Sequence, residues 1–108
     1  MKTKNTFRKI YSVVAKIPRG KVATYGQIAG ISSIQGSAKL VGYALNKLPD
    51  STDLPWHRVI NRSGKISYSP SRNDHDNLQR ILLENEGIEF GRNEIIELSK
   101  YLWNPLNE

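Results

Sequence analysis

The sequence contains no cysteine. That absence excludes disulfides, thiolate metal sites and any thiolate nucleophile, whatever fold the chain adopts. Long apolar runs are missing too, and none approaches the roughly 20 residues that a membrane-spanning helix needs. Met1 to Thr6 leads at once into an amphipathic pattern instead of a signal-peptide core, so a cytoplasmic protein is expected, nucleoid-associated if bacterial. Acidic side chains are the minority: ten Asp plus Glu stand against sixteen Lys plus Arg, a net charge of +6. Such a balance favours polyanionic partners through phosphate contacts and counterion release, nucleic acid foremost, although a merely basic solvated surface would give the same count. What is present suits one small domain, 1–108. A chain of 108 residues is too short to divide into two adequate cores, and 38% hydrophobic residues with two Trp, five Tyr and two Phe supply one core. No internal repeat or interdomain linker interrupts it.

Apolar residues at helical spacing, Phe7, Ile10, Tyr11, Val14 and Ile17, predict an N-terminal packing helix from about Asn5, which Pro18 and Gly20 stop. Lys21-Val22-Ala23 reads as a short extended link. Thr24-Tyr25-Gly26-Gln27 then has the spacing of a capping box, which places Tyr25 at the exposed start of a second helix. Gly30 to Gly36 supplies a turn, and Ser37 is a suitable N-cap for a third helix reaching about Leu48. Helix, turn, helix is a DNA-binding arrangement. After the polar loop Pro49 to Pro55, the segments Arg58-Val59-Ile60 and Lys65-Ile66-Ser67 flank the turn Asn61-Arg62-Ser63-Gly64 and predict a short β-hairpin, a wing or a pocket wall. Asp74 can cap a last substantial helix with Leu78, Ile81, Leu82 and Asn85 on one face, ended by Gly87 in a left-handed cap. Tyr101, Leu102 and Trp103 are expected to pack on the body. The expected fold class is therefore mainly α, a winged helix-turn-helix with a short β-hairpin wing.

On the third helix Leu40, Val41, Ala44 and Leu48 form an ordinary core stripe. Ala38, Gly42 and Leu45 lie on a neighbouring face, flanked by Lys39 and Asn46, and the small residues permit close approach to another surface. That surface is DNA or another helix. Taken alone, Gly42 equally marks tight helix packing and Lys39 a solvated charge.

Three segments occur in order: Ile17-Pro18-Arg19-Gly20-Lys21-Val22-Ala23-Thr24-Tyr25-Gly26-Gln27-Ile28-Ala29, Val41-Gly42-Tyr43-Ala44-Leu45, and Pro55-Trp56-His57-Arg58-Val59-Ile60. Together they resemble the DNA-binding domain of the O6-alkylguanine-DNA alkyltransferases, whose signature reads Pro-Cys-His-Arg-Val. The likeness continues loosely through Gly64 to Gly87. Tryptophan in the cysteine position marks the alkyltransferase-like subfamily, which lacks alkyl transfer, binds alkylated guanine in duplex DNA and directs the lesion to nucleotide excision repair proteins. The resemblance implies minor-groove docking of the third helix, nucleotide flipping into a pocket, and no metal or cofactor; a monomer is expected. By position, Tyr25 would press on the flipped nucleotide's phosphate and contact the base, while Ala38, Gly42 and Leu45 would line the groove face beside Asn46. The family's arginine finger falls on Lys39, a compact hydrated charge in place of a planar guanidinium. Backbone carbonyls of Trp56 and Val59 match those that hold the guanine amino group, and Tyr68 with Ser69 matches the opposite pocket wall. The enzymes ionise their cysteine through an asparagine, the signature histidine and a glutamate. Here His57 and Glu86 match two of these, and Leu48 falls at the asparagine.

Alkyl transfer from guanine O6 needs a soft, ionisable nucleophile, which Trp56 does not offer. His57 beside Arg58 suggests general-base work or, more blandly, a histidine that orients backbone in the pocket floor. Trp56 alone would read as a core aromatic; within the motif it reads as a flat apolar pocket wall that could bury alkyl carbons at roughly 0.8 kcal/mol per CH2. Neither turnover nor self-alkylation is expected. Other readings are a winged-helix regulator without lesion preference and a protein-interaction domain that has kept the fold but lost the DNA.

Overall fold

The computed structural model describes residues 2–32, 38–66 and 75–105. The expected caps Ser37 and Asp74, and the expected pocket residues Tyr68 and Ser69, lie outside them. Helix α1 spans Lys2–Val14, starting before the predicted Asn5. Its Ile10, Val13 and Val14 are buried, with Ile17 of the following turn, while Phe7 and Tyr11 pack half-buried at the edge of the same cluster. Strand β1 (Ala23–Thr24) feeds directly into α2 (Tyr25–Ile31) through the capping box. The Gln27 amide donates to Thr24 Oγ1 at 3.1 Å, and the Thr24 amide donates to Gln27 Oε1 at 3.3 Å. Gln27 Nε2 also donates to the carbonyl of Trp103 at 2.8 Å, so the third residue of α2 ties the helix to the segment around Trp103.

Helix α3 (Ala38–Asn46) buries Val41 and Ala44 against α1 and α2. Lys47 and Leu48 continue past it as a tighter turn, their amides donating to Ala44 and Leu45 carbonyls. A 3-10 turn at Trp56–Arg58 follows, and strand β2 (Val59–Ile60) continues from it. Mainly helical architecture with a small sheet is what the sequence predicts, yet the strand pairing differs. Among the described residues β2 runs parallel to β1, with Ala23 opposite Val59 and Thr24 opposite Ile60, and Lys65 and Ile66 form no strand with it, while Ser67 of the expected hairpin lies outside them. The turn itself forms: the Gly64 amide donates to Asn61 O and the Asn61 amide to Lys65 O, both at 3.0 Å. Gly64 is then claimed by a different neighbour. Its φ is +81°, its carbonyl accepts from the Ile96 amide at 2.8 Å, and a Cβ there would lie 2.5 Å from the Ile96 oxygen.

Helix α4 (His75–Asn85) ends in a Schellman cap at Gly87, φ +88°: the Ile88 amide donates to Leu83 O and the Gly87 amide to Glu84 O. The face that Leu78, Ile81 and Leu82 share is not the buried one. Gln79 and Leu83 are buried, whereas Leu78 and Ile81 are 43% and 45% exposed. The reason is that α4 packs on the turn at Trp56–Arg58 and the strand after it, whose carbonyls need a donor, so an amide takes an interior position that apolar periodicity assigns to leucine. After the short helix α5 (Leu98–Tyr101), the tail lies beside β1, with the Val22 amide donating to Tyr101 O and the Trp103 amide to Val22 O. Tyr101 and Trp103 are buried as expected; Leu102 turns outward at 38% exposure.

Candidate nucleic-acid interface

Because the capping box sets the first turn of α2, Tyr25 projects from the helix start towards α3. A methyl group on Gly42 would meet Cε1 of Tyr25 at 3.8 Å, ordinary contact, so the ring lies over this small residue. Beyond Tyr25 opens a cleft of about 570 Å3. Leu45, Asn46 and Leu48 supply its α3 side, Pro49, Asp50 and Thr52 the loop side, and Trp56 with Leu78 and Leu82 of α4 the far wall. Asp50 is the one charged side chain among these lining residues. Tyr25, Leu45, Asn46 and Trp56 therefore meet around one space, although they come from three separated stretches of sequence. Ala38 and Lys39 stand exposed at the start of α3.

His57, Arg58 and Val59 serve the wall from behind. Trp56 O accepts the Val59 amide, closing the 3-10 turn. Gln79 Nε2 donates to His57 O at 3.0 Å and to Val59 O at 2.9 Å. The side chains of His57 and Arg58 converge on Glu86, whose side chain is only 5% exposed. Arg58 Nε lies 3.0 and 3.1 Å from the two carboxylate oxygens, and its Nη2 donates to Oε2 at 2.8 Å. His57 Nε2 meets Oε2 at 2.7 Å, and the Gly20 amide donates to Oε1 at 2.9 Å. The remaining Arg58 donor, Nη1, reaches Ile17 O at 2.7 Å.

Burial opposes ionisation of Glu86, yet the Arg58, Gly20 and His57 donors outweigh it and hold the carboxyl at about 2, against an ordinary 4.5. Burial also lowers the His57 pKa below its ordinary 6.5; Glu86 resists that shift and Arg58 and Arg19 reinforce it. A histidine kept neutral, with Nε2–H aimed at a carboxylate, orients structure. Sequence reasoning missed Gln79, Asp50 and the two α4 leucines as contributors here. An amide amid an apolar pattern was the available signal for Gln79, whereas the cleft side of α4 had none.

Residues 5–88 match the family model for the DNA-binding domain of 6-O-methylguanine DNA methyltransferase. A DNA base-flipping protein of Vibrio parahaemolyticus is 46% identical over 97 residues, covering 90% of this chain and 94% of that one. Alkyltransferase-like protein 1 of Schizosaccharomyces pombe is 37% identical over 97% of this chain and 100% of its own length. The crystal structure of that yeast protein, Atl1, with damaged DNA containing O6-carboxymethylguanine superposes with a TM-score of 0.85, covering 94% of this chain and 97% of that one at 37% identity. A methylated-DNA–protein-cysteine methyltransferase of Saccharolobus islandicus is 43% identical, but over 75% of this chain and only half of the enzyme. Trp56 in place of the signature cysteine and full-length likeness to base-flipping proteins agree: the chain belongs to the family of the 6-O-methylguanine DNA methyltransferase DNA-binding domain, in its alkyltransferase-like branch.

Proposed function

We propose that this protein binds duplex DNA carrying O6-alkylguanine, turns the damaged nucleotide out of the stack into the cleft between Tyr25 and Trp56, and performs no alkyl transfer. The observation that carries the reading is the cleft itself, with an aromatic ring at the start of the helix-turn-helix facing an indole where the enzymes hold their thiol. In this reading the exposed face of α3, with Ala38, Lys39, Gly42 and Asn46, enters the minor groove, and Lys39 fills the vacated base position. Tyr25 presses on the phosphate of the flipped nucleotide. Selectivity arises because extrusion costs least for a weakly paired base and because the apolar wall of Trp56, Leu78 and Leu82 buries the alkyl group. With no cysteine in the sequence, the lesion stays intact and the complex persists as a flag for nucleotide excision repair proteins.

The test is a titration of wild type, Tyr25→Phe and Trp56→Ala against fluorescent duplexes with and without one O6-methylguanine, at fixed salt because phosphate contacts dominate affinity. Lesion preference should fall in both variants by more than affinity for undamaged DNA does. Equal affinity of the wild type for both duplexes would instead favour a winged-helix regulator without lesion preference. A mass gain of one alkyl group on the protein would overturn the absence of transfer.

A further inference from the structure

A second row of groups runs along α3 and into the turn that follows it, beside the face that holds Ala38 and Gly42. Lys39 and Tyr43 stand at i and i+4, about 40° apart round the helix, and Lys47 follows at i+8 in the tighter turn just past Asn46. All three are exposed, Tyr43 by 54%. Among the described residues neither ammonium nor the Tyr43 hydroxyl makes a hydrogen bond or ion pair, and α3 contains no acidic residue. The row is also built, not loose. Lys47 Nζ sits 4.9 Å above the centre of the Tyr43 ring, and that ring lies 6.0 Å from Phe7 of α1. Phe7 in turn meets Tyr11 edge-on at 6.1 Å, and Tyr11 anchors α1 to α3 by donating its hydroxyl proton to Ala44 O at 2.7 Å. The aromatic series therefore leads to a cation seated over the Tyr43 ring at the end of α3.

We propose that Tyr43 and Lys47, braced by Phe7, form a phosphate clamp that grips one backbone strand alongside the groove occupied by α3. The inference rests on the reading that this helix faces DNA, and it adds residues outside the lesion cleft. A helix lying in a groove has backbone phosphates on both flanks. The cleft occupies one flank of α3, through Leu45 and Leu48, and the row of unpaired donors occupies the other. Donors without an acid to satisfy them, continuous with Lys39 on a chain of net charge +6, complement a polyanion in preference to a protein surface of mixed sign. Base identity plays no part in such a contact, so the clamp contributes register and affinity and leaves the choice of lesion to the cleft.

The experiment measures binding of wild type, Lys47→Gln, Lys47→Arg, Tyr43→Leu and Tyr43→Phe to an undamaged duplex and to the same duplex with one O6-methylguanine, across a range of salt concentration. Loss of one phosphate contact should lower the slope of log affinity against log salt by about 0.9, equivalent to about 8-fold weaker binding at 0.1 M salt. Lys47→Gln should show that loss on both duplexes with the ratio between them unchanged, and Lys47→Arg should restore the slope. Tyr43→Leu removes the platform under Lys47 and should lose most of the same slope, whereas Tyr43→Phe keeps it. Unfolding midpoints equal to wild type separate these effects from misfolding. A wild-type slope in Lys47→Gln overturns the clamp, including the case in which that variant instead loses a protein partner. A wild-type lesion ratio of one overturns the proposed lesion recognition and leaves the slope to decide the clamp.

Discussion

Replacing Glu86 by glutamine preserves the size of the side chain and removes the charge on which four donors converge. The carboxylate accepts from the Gly20 amide, from Nε and Nη2 of Arg58 and from His57 Nε2, all within 3.1 Å. A glutamine oxygen can satisfy part of this set, but its amide group then points its own protons at a donor. His57 can respond by exchanging tautomers; Arg58 cannot, and it is left 16% exposed without its counterion. The shift of the Glu86 carboxyl from 4.5 to about 2 gives the scale. At 1.36 kcal/mol per pKa unit, the folded state favours the ionised form by about 3 kcal/mol, and breaking a buried pair costs about 3–5 kcal/mol. Because the folded pKa is depressed, this stabilisation is fully present above about 4.5 and is lost as pH falls towards 2. His57 also has a depressed pKa, so its protonation below about 6.5 destabilises the fold in a separate, milder step. Urea denaturation of wild type and Glu86→Gln, at pH 7 and at steps down to pH 2.5, should therefore show a gap of about 3 kcal/mol at neutral pH that narrows between pH 4.5 and 2.5. A gap below about 1 kcal/mol at pH 7, or one that does not narrow in acid, would refute the reasoning.

Three further substitutions test the scaffold. Gln79→Leu should lower stability by about 1–3 kcal/mol in denaturant melts, since the buried Val59 carbonyl and the half-buried His57 carbonyl lose their donor while the unpartnered Gln79 Oε1 is removed. Gly64→Ala should cost about 3 kcal/mol or more by the same assay, combining a positive φ with a Cβ that would sit 2.5 Å from the Ile96 oxygen. Thr24→Ala should cost about 1 kcal/mol through loss of the α2 N-cap, while Thr24→Ser should restore it.

What could be read from the sequence was local. The capping box at Thr24 and Gln27, the left-handed cap at Gly87 and the buried stripe of α1 each depend on residues within a turn or two, and each is present. The β1–β2 pairing depends on contacts between residues 36 apart in sequence, Ala23 with Val59, and no local pattern distinguishes that parallel partner from the nearby hairpin partner at Lys65. Helix α4 misled for a related reason. Its leucines and isoleucine suggest a core face, but the surface it covers is a turn and strand edge rich in carbonyls, so Gln79 points inward and Leu78 turns to the cleft rim. Of the cleft lining, Tyr25, Leu45 and Trp56 were legible through the motif. The loop residues Asp50 and Thr52 were not, because a polar loop looks the same in sequence whether it faces solvent or closes a cavity.

The fate of His57 and Glu86 explains how the cysteine position can change without disturbing the fold. In the alkyltransferases that this chain resembles, these two residues belong to the apparatus that ionises the thiol, and without a thiol that task has no object. Their geometry here shows a second task that does not depend on it. Glu86 sits just beyond the last turn of α4, where its carboxylate collects Arg58 and His57 from the 3-10 turn and the Gly20 amide from the loop before β1. Seven residues earlier on the same face, Gln79 takes the carbonyls of His57 and Val59. Side chains and backbone of the segment after Trp56 are thus gripped by one helix at two heights, and the direction of the indole follows from that grip. Removing the charge at Glu86 would release the turn that carries Trp56. In a chain without cysteine, the network still frames the cleft wall.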